Sequence, residues 1–305
     1  IRIVPRASPS GSTSRTLISS PSASEGNENH ASFIAKIPRK SIPVKLKGSV
    51  LLFDREIPAR VRALPGTVCL WLENLTTGET VRVNPDAPVI AASVIKLAVL
   101  LEAFRRFDDG TLDPNETCAV RPEDKVPSCG ALTYLHDGLE VTLRDLATLM
   151  IILSDNTATN ILIDRLGIEN VNRTLDAYGL TGMRLRRRMF DSEAAARGLQ
   201  NTVTAEGIAR FFRLLYEGRL VSKAASEDML RILLDQRLNG KMPFYLHSAG
   251  IRVAHKTGED DGVTHDAGII LAKEPLIAVF LSGDTDVPAC ERVIQDVCRT
   301  FIPER

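Results

Sequence analysis

The sequence is poor in the features that announce metal, redox or nucleic-acid chemistry. Its five histidines (His30, His136, His247, His255 and His265) fall at no ligand spacing, so no metal site is expected. Five cysteines (Cys69, Cys118, Cys129, Cys290 and Cys298) form no Cys-x-x-Cys pair. An odd count without ligand spacing argues against a disulfide framework and structural zinc, and leaves core or incidental thiols. Glycine patterns that cradle phosphates or dinucleotides are absent, as is the Gly-x-Ser-x-Gly nucleophile elbow, and no cofactor is expected. With 38 basic and 38 acidic residues the formal net charge is zero, which gives no reason to expect a nucleic-acid or anionic-membrane partner. No run of about 18 apolar residues occurs, so no membrane-spanning helix is expected.

What remains is ordinary globular material: 305 residues, 44% hydrophobic and 25% charged, enough to bury a sizeable core. Residues 1–48 stand apart. Ser, Pro, Asn and Gly dominate there, Lys and Arg outnumber Glu25 and Glu28, and no apolar period appears. Such a segment buries too little to offset its ordering entropy and is expected to be a disordered tail. It also lacks the apolar stretch of a signal peptide, so no export signal is visible and the sequence alone points to the cytoplasm.

From residue 49 on, periodicity returns. An amphipathic helix is expected from Val50 to Leu64, then a hairpin of strands Thr67–Glu73 and Glu79–Val83 turning at Leu75–Gly78. The middle third reads as helical. Thr142 with Asp145 resembles a capping box, and further helices are expected over Ala158–Leu166, Glu169–Tyr178, from Thr204 to Gly218 and from Ser222 or Ser226 to about Arg237. Between them, Arg184 to Gln200 is Arg-rich and aperiodic, and at about 17 residues it is long for a connection, the mark of a functional loop. The last third alternates again: Ile251–Lys256, Asp266–Ala272 and Leu276–Ser282 read as strands, Val287–Ile302 as a closing helix. These patterns predict an α+β fold, an antiparallel sheet built from both chain ends and flanked by helices, with an all-helical lobe inserted. The α/β lobe would comprise 49–90 and 240–305, the helical lobe 91–239, and a site is expected in the cleft between them.

One stretch at the head of the helical lobe carries chemistry. Ser93 is the only serine with a lysine three residues later, Lys96, and the residues around it (Val94, Ile95, Leu97 to Leu101, Phe104) are apolar nearly all round. On a helix the two side chains share a face. A lysine in apolar surroundings loses proton affinity and can serve as base to a serine nucleophile. Alone, the pair reads first as a serine N-cap and a lysine snorkelling from a core helix. Two further motifs weigh on that choice: Ser154-Asp155-Asn156 between two helices, and Lys256-Thr257-Gly258 at the end of a strand.

In this order and spacing, the three motifs resemble those of the class A serine β-lactamases and penicillin-binding proteins, over about Val50 to Ile302. The resemblance implies that Ser93 attacks a lactam carbonyl with Lys96 carrying its proton. Ser154 would relay a proton to the leaving nitrogen, Asn156 would bond the substrate amide, and Lys256 and Thr257, followed by Gly258, would attract the substrate carboxylate. Backbone N–H groups of Ser93 and Glu259 would hold the oxyanion. The expected partner is a small β-lactam or peptidoglycan-like molecule. A monomer is expected, and the family usually works outside the cytoplasm.

The pattern breaks in two places. Class A enzymes carry a deacylating glutamate in a Glu-x-x-Leu-Asn motif, whereas alignment on Arg184-Leu185 and Asn201-Thr-Val-Thr204 leaves Arg188 or Met189 there. Asp191 and Glu193 are the nearby carboxylates. They read either as a surrogate base or, for Asp191, as the partner of Arg184, Arg186, Arg187 or Arg188. Without a base the acyl-enzyme should persist, the behaviour of a D,D-peptidase-like enzyme or a penicillin-binding sensor. Secondly, His265 stands about where many relatives use an arginine for the substrate carboxylate. It reads as a cation below about pH 6.5, or as a strand histidine bonded to Asp266 or Thr264. Cys129 falls near an aromatic position of the family's cleft.

Overall fold

The computed structural model describes residues 56–127 and 130–303. The proposed tail, the start of the first helix (Val50, Leu51, Phe53) and Cys129 lie outside them. The described residues share one unit, Pro43–Arg305.

A five-stranded sheet organises the fold, in the order β2-β1-β10-β9-β8. Its strands are β1 (Thr67–Asn74), β2 (Thr80–Val83), β8 (Arg252–Asp260), β9 (Val263–Leu271) and β10 (Leu276–Gly283), all antiparallel. The two chain ends meet where β1 lies against β10, Trp71 opposite Val279. Both strands are apolar almost without a break and buried at nearly every position. An antiparallel strand with one wet face would alternate; a continuous run means that both faces are covered. On one face Leu70, Leu72, Ala278 and Phe280 join Ile57 and Val61 of α1 (Ile57–Arg62) and Ile294, Val297 and Cys298 of α10 (Val287–Arg299) in one apolar cluster. The other face packs on α7 (Ala205–Tyr216).

The middle of the chain is helical as expected. It comprises α2 (Lys96–Asp108), α3 (Leu143–Ile152), α4 (Asn156–Leu166), α5 (Ile168–Ala177), the short α6 (Ser192–Ala196), α7 and α8 (Lys223–Leu234), with a further turn of helix, α9 (Pro243–Leu246), before the sheet resumes. The caps are local chemistry: Thr142 Oγ1 accepts from Asp145 N at 3.0 Å, Thr204 Oγ1 from Gly207 N at 3.0 Å, and Ser222, rather than Ser226, from Ala225 N at 3.1 Å. Two small sheets, not expected from the periodicity, decorate this part. β4 (Thr117–Val120) pairs with β5 (Leu139–Thr142), and β3 (Val89–Ile90) pairs with β7 (Thr202–Val203), itself paired with β6 (Met183–Arg184). The second sheet ties both ends of the Arg-rich loop to the strand that delivers the chain to Ser93.

Candidate active site

Ser93 sits in a 3₁₀ turn, Ala92–Ile95, between β3 and α2, and the α-helix proper starts at Lys96. The turn is entered through a left-handed Ala92 (φ 42°). Ser93 is not an N-cap and Lys96 does not snorkel: the cap positions of the turn and of α2 carry no side-chain cap, and Lys96 is fully buried instead of reaching for solvent. Every residue from Lys96 to Phe104 is buried, so the lysine is fixed at the root of a core helix. Its Nζ lies 3.0 Å from Ser93 Oγ, 2.7 Å from Ser154 O, 3.0 Å from Ser154 Oγ and 2.6 Å from Asn156 Oδ1.

The second motif is a strained corner between α3 and α4. Ser154 is left-handed (φ 54°), a conformation costing a non-glycine residue about 1–3 kcal/mol. The corner is held by Asp155, fully buried, whose Oδ1 caps α4 through Ala158 N at 3.0 Å and whose Oδ2 accepts Leu132 N at 2.9 Å. Gly130 lies over this aspartate; a Cβ there would stand 2.3 Å from Asp155 Oδ2 and 2.5 Å from its Cα, a collision with backbone. Asn156 spans the gap, its Nδ2 donating to Pro127 O at 3.1 Å while its Oδ1 meets Lys96. Asn156 still lines the cleft, and one N–H of its Nδ2 is enough for the bond to Pro127 O.

The third motif closes the constellation from the sheet. Lys256, fully buried on β8, places its Nζ 3.0 Å from Ser154 Oγ and 2.8 Å from Thr257 O. Ser154 therefore offers one hydroxyl to two lysines, and through Lys96 stands one step from Ser93. Gly258 lets β8 press on the nucleophile turn: a Cβ there would lie 3.1 to 3.3 Å from His265, Val94 and Ala92. Ser93, Ser154, Asn156, Thr257, Gly258 and Glu259 line one cleft of about 490 Å³.

His265 does not face this cleft as a cation. It is fully buried, its Nε2 donates to Ile90 O at 2.8 Å, and its Nδ1 accepts from Ser282 N at 3.1 Å. Burial, aided by nearby Lys241, pushes its pKa down to about 4 against the pull of the Ile90 carbonyl. The expectation of a protonated His265 beside a substrate carboxylate is corrected, as is the bond to Asp266, whereas a backbone hydrogen bond with Thr264 is present. Asp266 instead pairs with His255, Nδ1 to Oδ1 at 2.7 Å. The cation that does approach the third motif is Lys241, missed by the sequence reading. Almost buried, its Nζ lies 2.9 Å from Glu259 Oε1, 3.3 Å from His265 O and 3.4 Å from Gly258 O.

The Arg-rich loop forms the opposite wall. Asn160 of α4 grips the backbone of Met189 at both ends, accepting its N–H at 2.8 Å and donating to its carbonyl at 3.0 Å. Of the two residues expected at the family's glutamate position, Met189 lines the cleft, while Arg188 pairs with Asp164 outside it. Asp191 also lines the cleft but pairs with none of the four arginines. Its Oδ1 caps α6 through Ala194 N at 2.8 Å, while Arg184 is taken by Asp176. Glu193 is exposed, paired with Arg197 at 3.0 Å, and is not among the cleft residues.

Residues 52–302 match the profile of the Beta-lactamase enzyme family. The chain belongs to that family. Among solved structures it is similar to a β-lactamase from Sphaerobacter thermophilus, with 34% identity and a TM-score of 0.75 over 80% of this chain and 93% of the other. It is also similar to PBP-A, with 27% identity and a TM-score of 0.72 over 81% and 93%. A mutant of PBP-A, 28% identical to this chain, is an acyl-enzyme complex with penicillin G. Among curated proteins, the extended-spectrum β-lactamase PER-1 of Pseudomonas aeruginosa is 24% identical over 243 residues, covering 73% of this chain and 77% of its own.

Proposed function

We propose that this β-lactamase-family protein is a serine hydrolase acting on β-lactam amides through an acyl-enzyme at Ser93. The observation that carries the reading is Lys96 Nζ at 3.0 Å from Ser93 Oγ, with Ser154 Oγ shared at 3.0 Å between Lys96 and Lys256. Asn156 Oδ1 and Ser154 O can only accept, and they match the two N–H groups of a neutral Lys96 amine, leaving its lone pair for a hydroxyl proton. Ser93 Oγ then attacks the lactam carbonyl carbon and passes its proton to Lys96. As the C–N bond breaks, Ser154 gives its proton to the departing nitrogen and is reprotonated from Lys96. A new ester joins Ser93 to the acyl group and the lysine is neutral again. Lys256 and Thr257 supply the attraction for the substrate carboxylate.

The second half of the cycle reads differently from the first. Met189 at the cleft wall is no base, and Asp191, already capping a helix, is the only carboxylate of the loop at the cleft. This favours slow deacylation, and with it the second reading: a D,D-peptidase or esterase relative, or a module that acylates once and holds. Intact-mass spectrometry during incubation with a cephalosporin separates these. A transient adduct with accumulating product supports hydrolysis with turnover, a persistent adduct supports the holding module, and neither adduct nor product contradicts acylation altogether.

A further inference from the structure

The loop that lost the glutamate has gained something else. Phe190 follows Met189, lines the cleft and has φ 61°, in the left-handed region that a bulky residue enters only when its surroundings impose it. The surroundings do so from both sides. Asn160 fixes Met189 before it, and after it Ser192 N donates to Phe190 O at 3.0 Å while Asp191 caps α6. The return is not burial, since Phe190 is 58% exposed. With more than half of its surface in water, Phe190 gains little from burial to offset that strain. Ile90 lines the same cleft and is 40% exposed, although its backbone is held by pairing with Thr202 and by the bond from His265 Nε2 to its carbonyl. Met189 and Ala195 extend the apolar lining. The charged groups of this wall are turned to the protein itself: the Arg187 guanidinium bonds Gln200 Oε1 at 2.9 Å and Arg188 O at 3.1 Å, and Asp191 serves its helix.

We propose that Phe190, with Ile90 and Met189, forms a subsite for an uncharged aromatic side chain on the acyl part of the substrate. The inference rests on acylation of Ser93 and names the substrate class for it. Burying such a ring against Phe190 supplies, on substrate binding, the contact that the free protein lacks.

The test compares second-order acylation by benzylpenicillin and by 6-acetamidopenicillanic acid, which differ only in the phenyl ring, followed by intact mass. The wild type is expected to prefer benzylpenicillin by about tenfold or more, the discrimination an apolar pocket gives a group of this size. Phe190→Ala and Phe190→Gly should erase most of that ratio, and Phe190→Leu should keep part of it, with melting temperatures confirming that each variant folds. An equal rate for the two compounds in the wild type, or a ratio unchanged in the Ala and Gly variants, overturns the subsite while leaving acylation intact. Failure of both compounds to label the wild type overturns acylation itself, and the subsite with it.

Discussion

A buried neutral histidine beside the site sets a pH dependence that can be worked out in advance. His265 stays deprotonated in the fold down to about pH 4, because burial excludes the charge and its Nδ1 already accepts from Ser282 N. In the unfolded chain it binds a proton near pH 6.5. Between these values the unfolded state holds one proton more than the folded state, so stability falls as pH falls through the window. The full contribution is about 3 kcal/mol, of which about 2 kcal/mol is lost between pH 7 and pH 5. His265→Gln keeps a donor for Ile90 O and an acceptor for Ser282 N but does not titrate. Urea melts of both proteins from pH 7.5 to 4.5 should therefore converge as pH falls, the wild type losing about 2 kcal/mol more than the variant by pH 5. All other titrating groups cancel in the difference. Two profiles running parallel over that range would show that His265 charges in place without cost to the fold.

Met189→Glu returns a carboxylate to the cleft wall on a backbone already clamped by Asn160; release of the β-lactam adduct should quicken by about a hundredfold, read by the decay of intact mass after excess drug is removed. Asp191→Asn and Glu193→Gln distinguish the loop carboxylates: Glu193→Gln should leave the deacylation rate unchanged, and a slower rate in Asp191→Asn alone would mark Asp191 as the surrogate base. Gly130→Ala drives a methyl group into Asp155 and should lower stability by about 2 kcal/mol or more in urea melts.

The sequence was most readable where its physics is local or where a motif compresses a geometry. Thr142 and Thr204 cap the helices expected of them because a cap acts over three residues. β1 and β10 were visible because their apolar runs are continuous, and Ser93, Lys96, Ser154 and Lys256 because their motifs stand for one arrangement. The small β3-β7-β6 sheet escaped because two-residue strands have no period to detect. Lys241 escaped for another reason: it reaches Gly258, Glu259 and His265 near the turn of the β8-β9 hairpin, a contact with no spacing rule. The same holds for the Asn160 grip on Met189, which joins residues 29 apart. Asp191 was misjudged on composition. Among so many arginines an ion pair looked natural, but Asp164 and Asp176 take two of them, and a helix start right after Asp191 gives its carboxylate a nearer donor. His265 was misjudged on position, since an arginine's place in a family says nothing of burial.

Peptide mapping after brief exposure to benzylpenicillin tests whether Ser93 is the group acylated. A mass increase equal to the whole β-lactam is expected on the peptide that contains Ser93, and none in Ser93→Ala. An unlabelled wild type that forms no hydrolysed product, or an adduct that survives in Ser93→Ala, would contradict it.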